Sequence, residues 1–109
     1  MEIPTEFDRY TLVILRRPPN PPEMTDEEID DLQVRHALYQ LELKNKGIVL
    51  AAGPFADRWD ETFRGMTLYK TGLEETRRIA SQDPSMVAGR LTFDLVTWMV
   101  PTGQLEPEK

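Results

Sequence analysis

His36 is the only histidine in a chain of 109 residues that has no cysteine. With an ordinary pKa of roughly 6.5, an imidazole takes up and releases a proton near neutral pH, so general acid–base chemistry has one obvious candidate. A carboxylate on one ring nitrogen would fix the tautomer and stabilise the imidazolium, leaving the other nitrogen free as a base. The competing reading is a core histidine satisfied by a backbone carbonyl. Both remain open, because His36 falls within the apolar stripe of a helix.

Other residues could surround it. Tyr39 lies one helical turn away. Asp83 precedes Pro84, a common capping arrangement at a helix start, and one carboxylate oxygen can cap while the other stays free. Gly53 and Pro54 end a strand and either shape a pocket rim or simply terminate the strand. Arg58 stands beside Trp59 and Phe63 in a loop, where it could meet an acidic or aromatic ligand. The alternative is a loop that packs its aromatics onto a dimer seam.

Several chemistries find no support. The absence of cysteine removes disulfides, thiolate nucleophiles and cysteine-type zinc sites. No His-x-x-x-His or Asp-x-Asp spacing supports a metal, and the phosphate-cradling glycine motifs are missing, so the expectation is a protein without metal or cofactor. No Ser–His–acid triad can be read, and no acid pair for glycoside hydrolysis stands out among the 19 acidic residues.

The formal net charge of −6 argues against nucleic acid as a partner. No apolar run reaches the roughly 20 residues of a membrane span, and MEIPTEFDRY lacks the features of a signal peptide, so a cytoplasmic location is expected. Acidic residues crowd into 25–31 and the C-terminal tail, as a solvated face or a dock for a basic partner. Arg16, Arg17, Arg58, Arg64, Arg77, Arg78 and Arg90 are scattered elsewhere.

These residues need elements to position them. Residues 10–17, YTLVILRR, form a strand with Leu12 and Ile14 on one face and Val13 and Leu15 on the other. PPNPP at 18–22 is a stiff connector. Thr25 and Glu28 make a capping box, and Gly47 supplies the C′ residue. Between them Ile29, Leu32, His36, Tyr39 and Leu43 recur on one helical face, with Val34, Leu38 and Leu41 as a second apolar line. Strands follow at 48–54 and 65–70. Thr71 and Glu74 suggest a second capping box, opening a helix that stops by Asp83. A helical turn at 83–89 leads to the strand 91–101, with Leu91, Phe93, Leu95 and Met99 on one face and Val96, Trp98 and Val100 on the other. The tail from Thr102 is polar and is expected to be disordered at its end.

The order β-α-β-β-α-β is the ferredoxin-like arrangement, an α+β fold with a four-stranded antiparallel sheet and helices on one face. A single domain is expected over 1–109, with an ordered core at about 7–101. Because the first and last strands are apolar on both faces, the uncovered sheet face is expected to meet a second copy in a homodimer.

The chain resembles the YCII-related proteins, a family of dimeric α+β barrels. The residues that carry the resemblance are His36 in the first helix, Gly47-Ile-Val-Leu-Ala-Ala-Gly-Pro54, Asp83-Pro84 before the last strand, and Trp98 near its end. It covers roughly 35–101, and the first strand fits by topology only. PPNPP departs from the family's pattern. The resemblance implies a His36–Asp83 pair at the mouth of a pocket between helices and sheet. It also implies lyase or isomerase chemistry on small organic molecules, hydroxylated aromatics among them. The reading is therefore a cofactor-free enzyme binding a small molecule through Tyr39, Gly53, Pro54 and Arg58. The alternative is a ligand-binding or assembly module without catalysis.

Overall fold

The structure, a computed structural model, describes residues 1–107. Its elements are β1 (Phe7–Arg16), α1 (Asp26–Asn45), β2 (Val49–Pro54), β3 (Phe63–Tyr69), α2 (Leu73–Ala80), α3 (Pro84–Val87) and β4 (Thr92–Pro101). The four strands form one sheet in the order β2-β3-β1-β4, with every neighbouring pair antiparallel. This is the ferredoxin-like α+β fold expected from the element order.

Pleating sends Val13 and Leu15 of β1, Val49 of β2 and Tyr69 of β3 to one face, where they meet Leu43 of α1 and Ile79 and Ala80 of α2. Leu91, Phe93 and Leu95 pack against this core, whereas Met99 is 48% exposed where β4 runs past it. The opposite face gathers Tyr10, Leu68 and Val100, flanked by Leu12 and Leu50. Val96 and Trp98 of β4 stay 49% and 41% exposed.

Helix α1 carries both signals read from the sequence. The Thr25 side chain accepts from the Glu28 amide, and the Glu28 carboxylate accepts from the Thr25 amide. At the other end Gly47 adopts φ 76°, and the amides of Gly47 and Ile48 donate to the carbonyls of Lys44 and Leu43. Only a residue tolerant of the left-handed region closes a helix in this way. Along the helix Leu32 and Leu43 are buried, while Val34, Leu38 and Leu41 remain more than half exposed.

One expectation about the helices is corrected. The second capping box does not form: Gly72 is the N-cap of α2, with no side-chain cap. The Thr71 hydroxyl instead pairs with the Thr76 hydroxyl at 2.6 Å, and the Thr71 carbonyl accepts from the Thr11 hydroxyl at 2.7 Å. Thr71 ties β1 to α2, its carbonyl holding Thr11 and its hydroxyl holding Thr76. The start of the tail is held. The Glu106 carboxylate pairs with Lys70 at 2.7 Å and accepts from the Tyr10 hydroxyl, and the Gly103 amide donates to Asp8. The expected fraying at Glu108 and Lys109 lies outside the described residues. Among the described residues no helix is long and apolar enough to cross a membrane.

Candidate functional site

Helix α1 stands away from the sheet beside β2, and the space between them is a cavity of about 810 Å³. Its helix wall includes Leu32, His36 and Gln40; its sheet wall runs along 49–54 and adds Leu15 and Thr67.

His36 is partly buried, with its side chain 23% exposed. Its Nδ1 lies 2.7 Å from Oδ2 of Asp83, which is 1% exposed. The same Oδ2 accepts from Gln40 Nε2 at 3.2 Å, and the other oxygen, Oδ1, accepts from the Ser85 amide at 2.9 Å. Asp83 thus both caps α3 and orients His36, because its two oxygens point in different directions. One turn along the helix, Gln40 shares that carboxylate and takes up the Thr67 hydroxyl at 3.4 Å.

The arrangement sets the tautomer. A carboxylate facing Nδ1 favours the proton there, which leaves the Nε2 lone pair free. Among the described residues Nε2 has no hydrogen-bond partner, and His36 lines the cavity. The site presents an oriented imidazole to whatever occupies the cavity.

The other expected residues are placed unequally. Gly53 and Pro54 line the cavity. Tyr39 does not: its hydroxyl donates to the Ile79 carbonyl at 2.6 Å, and its ring packs against the core. Burial, then the charge of Asp83, pushes its phenol up; Tyr69 is pushed up by burial and by its neighbours Tyr39 and Asp83. Both phenols therefore stay protonated at neutral pH. Arg58 also lies outside the cavity lining. In its loop Phe63 stacks on Phe55 at 4.1 Å and on Trp59 at 4.9 Å, with the Arg16 guanidinium over Phe63 at 5.2 Å.

Sequence reasoning missed Gln40, which is polar on a helix and carries no local signal. It also missed Gly65, the glycine that a close backbone approach requires. A Cβ there would stand 2.7 Å from the Gly53 carbonyl oxygen, whereas one at Gly53 would meet nothing within 4 Å. Arg17, Arg64 and Arg90 line the cavity as well, although nothing in their spacing groups them.

No family model and no curated protein matches the chain. Among solved structures it is similar to the 5-chloro-2-hydroxyhydroquinone dehydrochlorinase TftG from Burkholderia phenoliruptrix AC1100, in complex with 2,5-dihydroxybenzoquinone. The TM-score is 0.60 at 16% sequence identity, over 82% of this chain and 92% of that one. That likeness is one of fold.

Proposed function

We propose that this protein is a small enzyme in which His36 acts as general base, through Nε2, on a small organic molecule bound between α1 and the sheet. The single observation that carries the reading is the 2.7 Å contact of Nδ1 with a buried carboxylate, while the other ring nitrogen is left without a partner in a cavity. Asp83 is a positioning residue: it acts through the imidazole and does not itself line the cavity. Gln40 and the Ser85 amide hold Asp83 in turn.

The reaction class is proton abstraction followed by elimination or isomerisation. A base that takes a proton from one hydroxyl sends the electron pair into the ring, and the carbon bearing the leaving group takes up a proton and becomes tetrahedral. Loss of a second hydroxyl proton then expels chloride with its bonding pair to leave a quinone. Loss of a proton and a chloride balances without an oxidant or reductant. The likeness to a dehydrochlorinase makes hydroxylated aromatics the first substrates to try, and supports membership of the YCII-related family as part of the same proposal. The general base is expected to contribute about 10²- to 10⁴-fold in rate.

The test is chloride release from 5-chloro-2-hydroxyhydroquinone and related chlorinated hydroquinones, for wild type and His36→Gln. Turnover lost in a folded His36→Gln protein supports the reading. Turnover unchanged by the substitution refutes it. A homodimer joined through the face that carries Val96 and Trp98 belongs to the same proposal, since those apolar side chains, 49% and 41% exposed, otherwise meet water.

A further inference from the structure

The chain carries 19 acidic residues against 13 basic ones, yet among the described residues no acidic one lines the cavity. Its charged lining is Arg17, Arg64, Arg90 and Lys44. The three arginines arrive from separate elements. Arg17 follows the end of β1, Arg64 lies in β3, and Arg90 follows the turn after α3. Gly89, at φ 76°, closes that turn, with the Gly89 and Arg90 amides donating to the Met86 and Ser85 carbonyls.

Arginine is ordinarily buried against a partner, because its fixed fork of donors loses water on entering the protein. Here the expected partners are missing. Among the described residues the ion pairs engage Arg16, Arg35 and Arg78, and none engages Arg17, Arg64 or Arg90. The Nε atoms of Arg17 and Arg64 are buried with no hydrogen-bond partner, and Arg90 reaches only the Pro22 carbonyl, at 3.4 Å. Burial, then the charges of Arg64, Arg90 and Arg58, draws the Arg17 guanidinium below its usual value, which places these cations close enough to repel one another. Such a cluster raises the energy of the empty site and lowers it again when an anion enters.

We infer that the cavity takes an anionic ligand whose carboxylate or phosphate group is held by Arg17, Arg64 and Arg90, with its apolar body against Leu15, Leu50 and Leu91. As a statement about substrate it rests on the function proposed for His36; as a binding site it stands without it. The imidazole and the arginines share one cavity, so the anion orients the ligand while His36 works on another of its atoms. PPNPP gains a role here, since its Pro22 carbonyl receives Arg90 and its first proline fixes the chain just after Arg17.

The experiment is calorimetric titration of wild type, Arg17→Gln, Arg64→Gln and His36→Gln with benzoate, phenyl phosphate and neutral benzamide, at low and high salt. Thermal melting of each protein without ligand accompanies it. Expected are binding of at least one anion, no comparable binding of benzamide, affinity reduced tenfold or more in each arginine variant, and weakening with salt. The tighter of the two anions identifies the group that the substrate carries. His36→Gln keeps the three arginines and should still bind the anion in preference to benzamide. Melting temperatures of the arginine variants should stay level or rise, because like charges have been removed from one another's neighbourhood.

Benzamide binding as tightly as benzoate, no anion binding to folded wild type, or arginine variants with unchanged affinity would each overturn the inference. Anion binding without any His36-dependent turnover would remove the catalytic reading alone. Turnover that depends on His36 without anion binding would remove the anion site alone.

Discussion

Asp83 performs two jobs with two oxygens, and substituting it separates them. Replacement by Ala removes the α3 cap, which costs about 1 kcal/mol. It also leaves His36 Nδ1 and Gln40 Nε2 without the acceptor they share at 2.7 and 3.2 Å. Each lost partner at this 1% exposed position costs about 1 kcal/mol, so Asp83→Ala should be less stable by about 3 kcal/mol. Asp83→Asn behaves differently. Its amide oxygen can keep the cap to the Ser85 amide, while its NH₂ replaces the acceptor facing His36. The imidazole can then accept at Nδ1 only by moving its proton to Nε2, at a stability cost of about 1 kcal/mol. That move fills the lone pair that the proposed chemistry uses, so turnover should fall about 10²- to 10⁴-fold while the fold survives. Urea denaturation measures the two stability costs. Ring ¹⁵N correlations at high pH, with the ring neutral, read the tautomer directly, and a single histidine leaves no ambiguity of assignment. Wild type should show the proton on Nδ1 and Asp83→Asn should show it on Nε2. An Asn variant that keeps the Nδ1–H tautomer, or an Ala variant as stable as wild type, would refute the reasoning.

Three further outcomes are expected. Gly65→Ala places a methyl against the Gly53 carbonyl at 2.7 Å, so β2 must shift from β3; the loss should be about 1–3 kcal/mol in denaturant unfolding, and an unchanged midpoint would contradict the packing. Lys70, then the Tyr10 hydroxyl, holds the Glu106 carboxyl below the usual carboxylate range. A folded-state value below the unfolded one stabilises the docked tail at neutral pH and loses that stabilisation as pH falls through the folded value. Amide exchange at Gly103 should therefore accelerate in acid, and Glu106→Gln should remove the pH dependence; exchange independent of pH in wild type, once corrected for intrinsic rates, would oppose it. Finally, Trp98→Glu puts a charge on the proposed dimer face, so sedimentation should show a monomer where wild type shows a dimer, and a monomeric wild type would contradict the dimer.

The fold was legible because its signals are local. Thr25, Glu28 and Gly47 bound α1 by chemistry within a few residues, and the β-branched run of β1 and the alternation in β4 survive without knowledge of their partners. Phe7–Arg9 escaped notice because Asp8 and Arg9 are poor strand residues; pairing with Met99–Pro101 makes them one. Thr71 misled for a related reason, since a capping residue and a tertiary hydrogen-bonding residue look alike until the neighbours Thr11 and Thr76 are in place. At the site, His36 stood out through being single, and Asp83 through its proline. Gln40, Arg17, Arg64 and Arg90 lie between 17 and 90 in the sequence, and only the folded sheet and helices bring them to one cavity. Arg58 attracted interest by its aromatic neighbours, which instead stack on one another.

The central claim is that the free Nε2 of His36 removes a proton from a bound small molecule. Hydrogen–deuterium exchange tests it most directly: 2,5-dihydroxybenzoquinone is incubated in D₂O with wild type, His36→Gln or no protein, and loss of its ring C–H signal is followed by NMR. Exchange accelerated by wild type and returned to the uncatalysed rate by a folded His36→Gln protein is the result expected. Equal exchange rates with wild type and His36→Gln would contradict the account.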